Sequence, residues 1–153
     1  MTELLEKVKR PRGFDVSPIF SAAVIYEIEG GVLKVLVVLD DGKTKLPGGC
    51  ADFLEKEGRW ETAEEALYRE AEEEVNIFIR DILCSIGEVV IHEGAHTKNF
   101  FLVDDNWEEN IPGAKGSLPM EWLRIEEVRA RLLTSHREAF EKALWKLRKL
   151  RKI

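Results

Sequence analysis

No glutamine occurs in the chain, whereas Glu, Lys and Arg are abundant. That bias resembles the composition of proteins from hot environments and carries no information about activity. Cysteine is scarce as well. Cys50 and Cys84 form neither a framework nor a C-x-x-C pair, which excludes a disulfide scaffold. They read as reduced thiols used for small apolar packing, as expected of a cytoplasmic protein. No apolar run approaches the ~20 residues of a membrane span, and MTELLEKVKR lacks the apolar core of a signal peptide. A membrane partner is therefore not expected. Excess positive charge is also missing: the formal net charge is -6, which argues against a nucleic-acid backbone as the main partner. What remains is the 44% hydrophobic content of an ordinary globular protein. At 153 residues, the simplest organisation is one domain over residues 1–153, able to bury roughly 70% of its unfolded surface.

The most informative stretch runs from Leu46 to Ile77. It opens with a Pro47-Gly48-Gly49 turn and closes with a helix expected from Thr62 to about Val75. Thr62 and Glu65 have the T-x-x-E spacing of a capping box. Glu70, Glu73 and Glu74 stand at i, i+3 and i+4, so a helix brings them onto one face. Adjacent carboxylates repel one another, and a divalent cation would turn that repulsion into coordination. In a chain that is 34% charged, the plain alternative is a solvated face. Three features favour a site. Leu67, Ala71 and Val75, flanked by Tyr68, form an apolar stripe that pins the helix to a core. Ala63 and Ala66 share the Glu face and are expected to leave room there. The glycine turn can bring bare backbone close to a ligand.

These residues resemble the signature of the Nudix hydrolases, G-x5-E-x7-R-E-U-x-E-E-x-G-U, with U a bulky apolar residue. Arg69-Glu70-Ala71-Glu72-Glu73-Glu74-Val75-Asn76-Ile77 matches its second half in register, and Glu61 lies eight positions before Arg69. The chain departs from the pattern at three places. Eleven residues, 50–60, separate Gly49 from Glu61, where the pattern has five. Ala71 is small for its position. Asn76 replaces the last Gly, which would end the helix in a left-handed conformation; Asn is the usual substitute. On this reading Asn76→Gly is neutral or slightly stabilising.

The rest of the chain reads as strands, helix, strands, helix, helix. Residues 1–17 form a helical turn or a loose arm. Ser21–Tyr26 and Val32–Leu39 are strands, the second so continuously apolar that it is buried on both faces. Thr44–Leu46 is a short strand. The Cys50–Trp60 insertion, with Phe53, Leu54 and Trp60, is too apolar for a free linker and is expected to fold over the glycine corner as a wall or lid. Ile82–Ile91 is a strand with a bulge at Gly87, and Thr97–Val103 its return. His92 and His96 flank a hairpin turn with Gly94 between them, which favours turn histidines over metal ligands. Pro119 places Leu118–Leu123 at a sheet edge. Ile125–Leu133 is a short helix. A last helix, with a capping box at Ser135 and Glu138, carries Phe140, Ala143, Leu144, Leu147 and Leu150 on one stripe. Its terminal Lys and Arg residues complement the helix dipole. This order fits an α/β fold, a mixed sheet covered by helices on both faces, and is similar to the Nudix α/β/α sandwich.

The resemblance implies hydrolysis of a diphosphate linkage in a nucleoside diphosphate joined to another group, with Mg2+ or Mn2+ as cofactor. It implies a nucleotide-type small molecule as partner and leaves a homodimer open. It makes Glu73 and Glu74 the principal metal ligands and Glu70 a ligand or the base that orients water. Gly48 or Gly49 would add a carbonyl. Arg69 supports the site by pairing with a carboxylate, Glu61 foremost, while Glu65 and Glu72 are solvated. A distal base is drawn from Glu93, Glu108 and Glu109. The alternatives are a Nudix-like domain that binds or senses a nucleotide without hydrolysing it, and an unrelated α/β domain.

Overall fold

A computed structural model describes residues 17–91 and 96–153. His92, Glu93 and all but the last residue of the predicted arm lie outside the described residues. The first β-rich stretch becomes two strands, β1 (Ile19–Val24) and β2 (Tyr26–Glu29). Strands β3 (Val32–Asp40), β4 (Lys43–Lys45) and β5 (Gly48–Cys50) follow, and the insertion folds into a two-stranded hairpin, β6 (Phe53–Leu54) and β7 (Arg59–Trp60). Helix α1 spans Ala63–Val75. Beyond it come β8 (Ile77–Phe78), β9 (Ile82–Ile91), β10 (His96–Val103), β11 (Glu108–Glu109) and β12 (Met120–Arg124). Helices α2 (Ile125–Arg131) and α3 (Thr134–Lys149) end the chain.

Two four-stranded sheets carry the fold. One has the order β5-β1-β10-β9 and is mixed: β1 runs parallel to β10 and antiparallel to β5. The other has the order β12-β3-β2, with β4 added to the end of β3, and is antiparallel. The edge position of β12 follows from Pro119, which has no N–H to donate; its carbonyl accepts from Leu39 N at 2.9 Å. Phe100 pairs with Gly87 and Phe101 with Ser85, so the bulge in β9 falls at Ile86, one residue before Gly87.

Alternation along the strands builds two cores. Ala22, Val24, Val35, Val37, Phe100 and Leu102 face one side, where Val128 of α2 and Phe140, Ala143, Leu144 and Leu147 of α3 cover them. Ala23, Ile25, Leu36, Val38, Phe101 and Val103 face the other, under Leu67, Ala71 and Val75 of α1. Helices thus cover both faces of the central strands, and β3 is buried on both, as its apolar run predicts.

Several local expectations change. Helix α3 starts at Thr134, with Leu133 in the cap position and no side-chain cap, so Ser135 and Glu138 form no capping box. The backbone N–H of Leu133 is drawn onto the carbonyl of Thr44 at 2.8 Å, which starts the helix earlier. Leu150 lies past the end of α3 and is exposed. Ala66 is fully buried and Ala63 packs against the core under α1, so neither leaves open space beside the carboxylates. Cys50 is an exposed free thiol rather than a packing residue; Cys84 is partly buried against the other core. No helix among the described residues is long and apolar enough to cross a membrane.

Candidate functional site

The N-terminal end of α1 is fixed by charge. Thr62 Oγ1 accepts from Glu65 N at 3.1 Å, and Glu65 Oε1 accepts from Thr62 N at 2.9 Å. This capping box is the one the sequence predicts, but Glu65 is not merely solvated: Arg59 of the hairpin bonds both its oxygens, at 2.7 and 3.2 Å. One residue before the cap, Glu61 is buried and closes the hairpin. Its N–H donates to Asp52 O at 2.8 Å, and its Oε1 accepts from Asp52 N at 2.7 Å. The eleven-residue loop therefore leaves and returns at nearly one point. Phe53 stacks on Trp60 at 5.3 Å between centroids, which explains why the loop is apolar.

Arg69 joins this hairpin to the carboxylate face. Its Nε lies 3.1 and 3.0 Å from the two Glu61 oxygens, and its Nη2 is 2.8 Å from Oε1. Nη2 also donates to Cys50 O at 3.0 Å, while Nη1 reaches Glu70 Oε1 and Glu73 Oε2, each at 3.0 Å. Burial alone would raise the Glu61 carboxyl, but hydrogen bonds from Arg69 and the Asp52 amide outweigh it and hold the group below the usual range. Glu61 as the partner of Arg69 is as expected from sequence.

The glycine turn meets the next part of the helix. Glu74 Oε1 accepts from Gly48 N at 2.9 Å. A Cβ on Gly49 would lie 2.5 Å from Cδ of Glu70 and 2.6 Å from its Oε1, so any side chain there would displace the Glu70 carboxylate. A Cβ on Gly48 would strike Ser21 O and the Cα of Ala22 in β1. Burial pushes the Glu74 carboxyl up to about 7, with the Gly48 amide opposing and the charges of Glu70 and Asp40 adding. Burial raises Glu70 too, against the pull of Arg69. Glu73 is exposed and Glu72 half-buried. Ser21, paired opposite Gly49, is fully buried, and its hydroxyl finds no hydrogen-bond partner among the described residues.

At its C-terminal end the helix is held by neutral groups. Asn76 adopts φ 56° and ψ 42°, the left-handed conformation expected of it. Its side chain does more than tolerate that conformation. Nδ2 donates to Ile111 O at 2.8 Å and to Ala114 O at 3.0 Å, and Oδ1 accepts from Ile111 N at 3.0 Å. Its carbonyl accepts from Asn110 N at 2.9 Å. The same loop completes the helix end: Ser117 N donates to Glu73 O at 2.8 Å and Leu118 N to Glu74 O at 3.3 Å. Gly116 is pressed onto the Glu74 carbonyl, where a Cβ has no room. Glycine at 76 would lose these three side-chain hydrogen bonds, which argues against the expected equivalence of Asn76 and Gly.

Of the distal candidates, Glu108 pairs with Arg80 at 2.7 Å and Glu109 accepts from Gly113 N at 3.0 Å, both on β11 beside β8. The loop that does touch the end of α1 carries Lys115 and no carboxylate between 110 and 118. Sequence reasoning missed His136, whose Nδ1 accepts from Leu46 N at 3.1 Å just before the glycine turn. Burial lowers its pKa to about 4, with Lys98 and Lys45 adding, so the ring is a neutral acceptor.

The donor set fits a hard cation: carboxylate oxygens of Glu70, Glu73 and Glu74 beside glycine backbone, with the orphaned hydroxyl of Ser21 nearby in the sheet. Among the described residues, however, no three His, Cys, Asp or Glu side chains already converge on one point. Arg69 Nη1 stands between Glu70 and Glu73 instead.

No protein-family model matches the chain, and no curated protein matches it either. Solved structures do. The NUDIX domain of Shewanella oneidensis NrtR, complexed with ADP ribose, superposes with a TM-score of 0.60 at 21% identity, over 95% of this chain and 97% of that one. The Ap4A hydrolase of C. elegans gives 0.60 at 17% identity, over 86% and 99%. A MutT NUDIX hydrolase from Burkholderia pseudomallei gives 0.52 at 21%, over 84% and 98%.

Proposed function

We propose that this chain, whose fold is the Nudix fold, hydrolyses the diphosphate linkage of a nucleoside diphosphate joined to another group. One observation carries the reading. Glu70 and Glu74, one helical turn apart, are turned onto the two glycines of the Pro-Gly-Gly turn instead of into solvent. A merely solvated face would not press a carboxylate into the space of a missing Cβ, nor bury another until it rises to about 7. Such an arrangement leaves a cluster of anionic oxygens beside bare backbone, which suits a substrate presented with its charge neutralised.

Glu73 and Glu74 would hold Mg2+ or Mn2+, with Glu70 as a third ligand or as the group that orients the attacking water, and Gly48 or Gly49 would contribute a carbonyl. When bound, the cation would neutralise phosphate charge and lower the pKa of water. The chain's own part is to aim these groups. Arg69 bonds Glu70 and the exposed Glu73 and ties them to the buried Glu61. Water adds to phosphorus, the bridging P–O bond breaks, and the water proton leaves to a carboxylate or to solvent, giving two phosphate monoesters. ADP ribose is the first substrate to try, since it is the ligand of a neighbour aligned over 95% of this chain.

A second reading, nucleotide binding without hydrolysis, draws on Arg69: a guanidinium already bridges Glu70 and Glu73, where a catalytic cation would compete with it. The two readings separate in one experiment. The protein is incubated with ADP ribose, Ap4A and nucleoside triphosphates, with Mg2+, with Mn2+ and with chelator, and phosphate-containing products are quantified. Metal-dependent release of AMP or an equivalent monoester is expected. Glu74→Gln should lower kcat on the order of 100-fold or more, the scale of removing one preorganised electrostatic contact. Hydrolysis that resists chelator, or near-normal turnover by both Glu73→Gln and Glu74→Gln, would rule out the assignment.

A further inference from the structure

Two groups beside the glycine turn each lack what the other offers. Ser21 of β1 is fully buried, and its hydroxyl has no hydrogen-bond partner among the described residues. Glu70 takes a hydrogen bond from Arg69 on Oε1 at 3.0 Å, while its Oε2 accepts from no donor among the described residues. We infer that Ser21 is a positioning residue, whose hydroxyl receives the Glu70 carboxylate when a divalent cation takes the place of Arg69. The inference rests on the hydrolase reading for the cation and on the sheet register for the place.

The register brings the two groups together. Ser21 and Gly49 are directly paired in the antiparallel ladder of β1 and β5. Side chains of such a pair leave the sheet on the same face, with Cβ atoms about 4.5–5.5 Å apart. At Gly49 that face belongs to Glu70, whose Cδ lies 2.5 Å from where a Cβ would stand. Alternation along β1 agrees. Ala23, two residues on, lies in the core under Leu67 and Ala71 of α1, whereas Ala22 and Val24 lie in the opposite core. Ser21 therefore points towards α1, next to the space that Glu70 fills because residue 49 has no side chain. A buried hydroxyl without a partner is unfavourable, and alanine would fill the position without that cost. Packing in the resting protein does not account for a serine here.

A change of partner does. Arg69 Nη1 spans Glu70 Oε1 and Glu73 Oε2, each at 3.0 Å. A cation held by these oxygens repels the guanidinium, which keeps its other anchor, Glu61, through Nε and Nη2. Glu70 then loses its donor. A carboxylate that binds a metal is oriented by the hydrogen bonds it receives from outside the coordination sphere. Ser21 offers such a bond from the buried side, and its neutral hydroxyl does not oppose the cation as Arg69 does.

The test compares Mn2+ binding by the parent and by Ser21→Ala, followed by electron paramagnetic resonance of the free ion, with melting temperatures in chelator and in Mn2+. In chelator Ser21→Ala should melt at or above the parent's temperature, since it removes an unpaired hydroxyl. Its Kd for Mn2+ should rise at least about tenfold, the scale of one hydrogen bond to a charged group, and Mn2+ should raise its melting temperature less. Ser21→Cys, with a weak S–H donor in the same place, should recover part of the affinity. Equal Mn2+ affinity of the parent and Ser21→Ala would overturn the inference and leave the hydrolase reading standing. A Ser21→Ala protein that melts well below the parent in chelator would also overturn it, by showing that the hydroxyl is already bonded in the resting protein. A parent that binds no Mn2+ would overturn the hydrolase reading and this inference with it.

Discussion

The two ends of α1 are fastened in opposite ways. At the N-terminal end Arg59 holds Glu65 and Arg69 holds a buried Glu61, so the joint is ionic. At the C-terminal end Asn76 and the amides of Ser117 and Leu118 hold the helix without a formal charge. The difference matters because Glu74 sits in the last turn. An ion pair there would compete with Glu74 for whatever its carboxylate must bind. A neutral clamp fixes the turn and leaves the charge of Glu74 to burial, Glu70 and Asp40. The ionic joint lies at the far end, and Arg69 reaches back from it to meet Glu70 and Glu73.

Breaking the ionic joint should have the largest effect on stability. Arg69→Ala leaves Glu61 buried without its partner and should cost about 3–5 kcal/mol in urea denaturation. Arg69→Lys should recover only part, since an ammonium cannot reproduce the guanidinium's several simultaneous bonds. A loss below about 1 kcal/mol for Arg69→Ala would show that the joint is not buried in the energetic sense.

Acid should sharpen the contrast, once His136 is accounted for. Its folded pKa of about 4 lies below the ordinary 6.5, so the unfolded chain binds its proton first. Stability is then full above pH 6.5 and falls towards pH 4, by about 3 kcal/mol in total. His136→Asn should flatten this part of the melting curve. Glu61 has a depressed carboxyl, so its contribution is complete above 4.5 and is lost only as pH falls below that. The clamp at Asn76 does not titrate. The destabilisation caused by Asn76→Gly should therefore be the same at pH 7 and pH 4, while that caused by Arg69→Ala shrinks.

Asn76→Gly itself should cost about 1–2 kcal/mol. Three lost hydrogen bonds act against the ease with which glycine adopts the left-handed turn. Equal melting temperatures for the two proteins would show that the loop holds without the side chain. The smallest effect belongs to salt. Raising NaCl from 0.05 to 0.5 M should weaken the exposed Arg59–Glu65 pair slightly and leave the Asn76→Gly difference unchanged.

What could be read in advance follows from distance along the chain. The capping box at Thr62 and Glu65, the buried stripe of Leu67, Ala71 and Val75, and the left-handed Asn76 are all local, and the spacing of a helix determines them. The two-sided burial of β3 was legible because an unbroken apolar run has few other uses. Glycines 48 and 49 were legible as a turn but not as a fit, since their neighbours, β1 and Glu70, are 20 or more positions away. The loop from 110 to 118 has no periodicity, and its partner Asn76 is 35 residues upstream. His136 was hidden behind the apparent capping box at Ser135, and its bond to Leu46 spans 90 positions.

The parallel pairing of β1 with β10 has a consequence for how the chain comes together. Ala22 and Phe100 are neighbours in the sheet and 78 positions apart in sequence. During synthesis β1 emerges early but its partner is among the last strands made, so the centre of the sheet stays open until most of the chain is out. Contacts of such separation are slow to form. The antiparallel pairing of β1 with β5 needs far less chain, and it already contains Gly48 and Gly49. The glycine turn can thus be assembled before the sheet around it closes. In pulse-labelled hydrogen exchange during refolding, the amides of β3 should be protected before those linking β1 to β10.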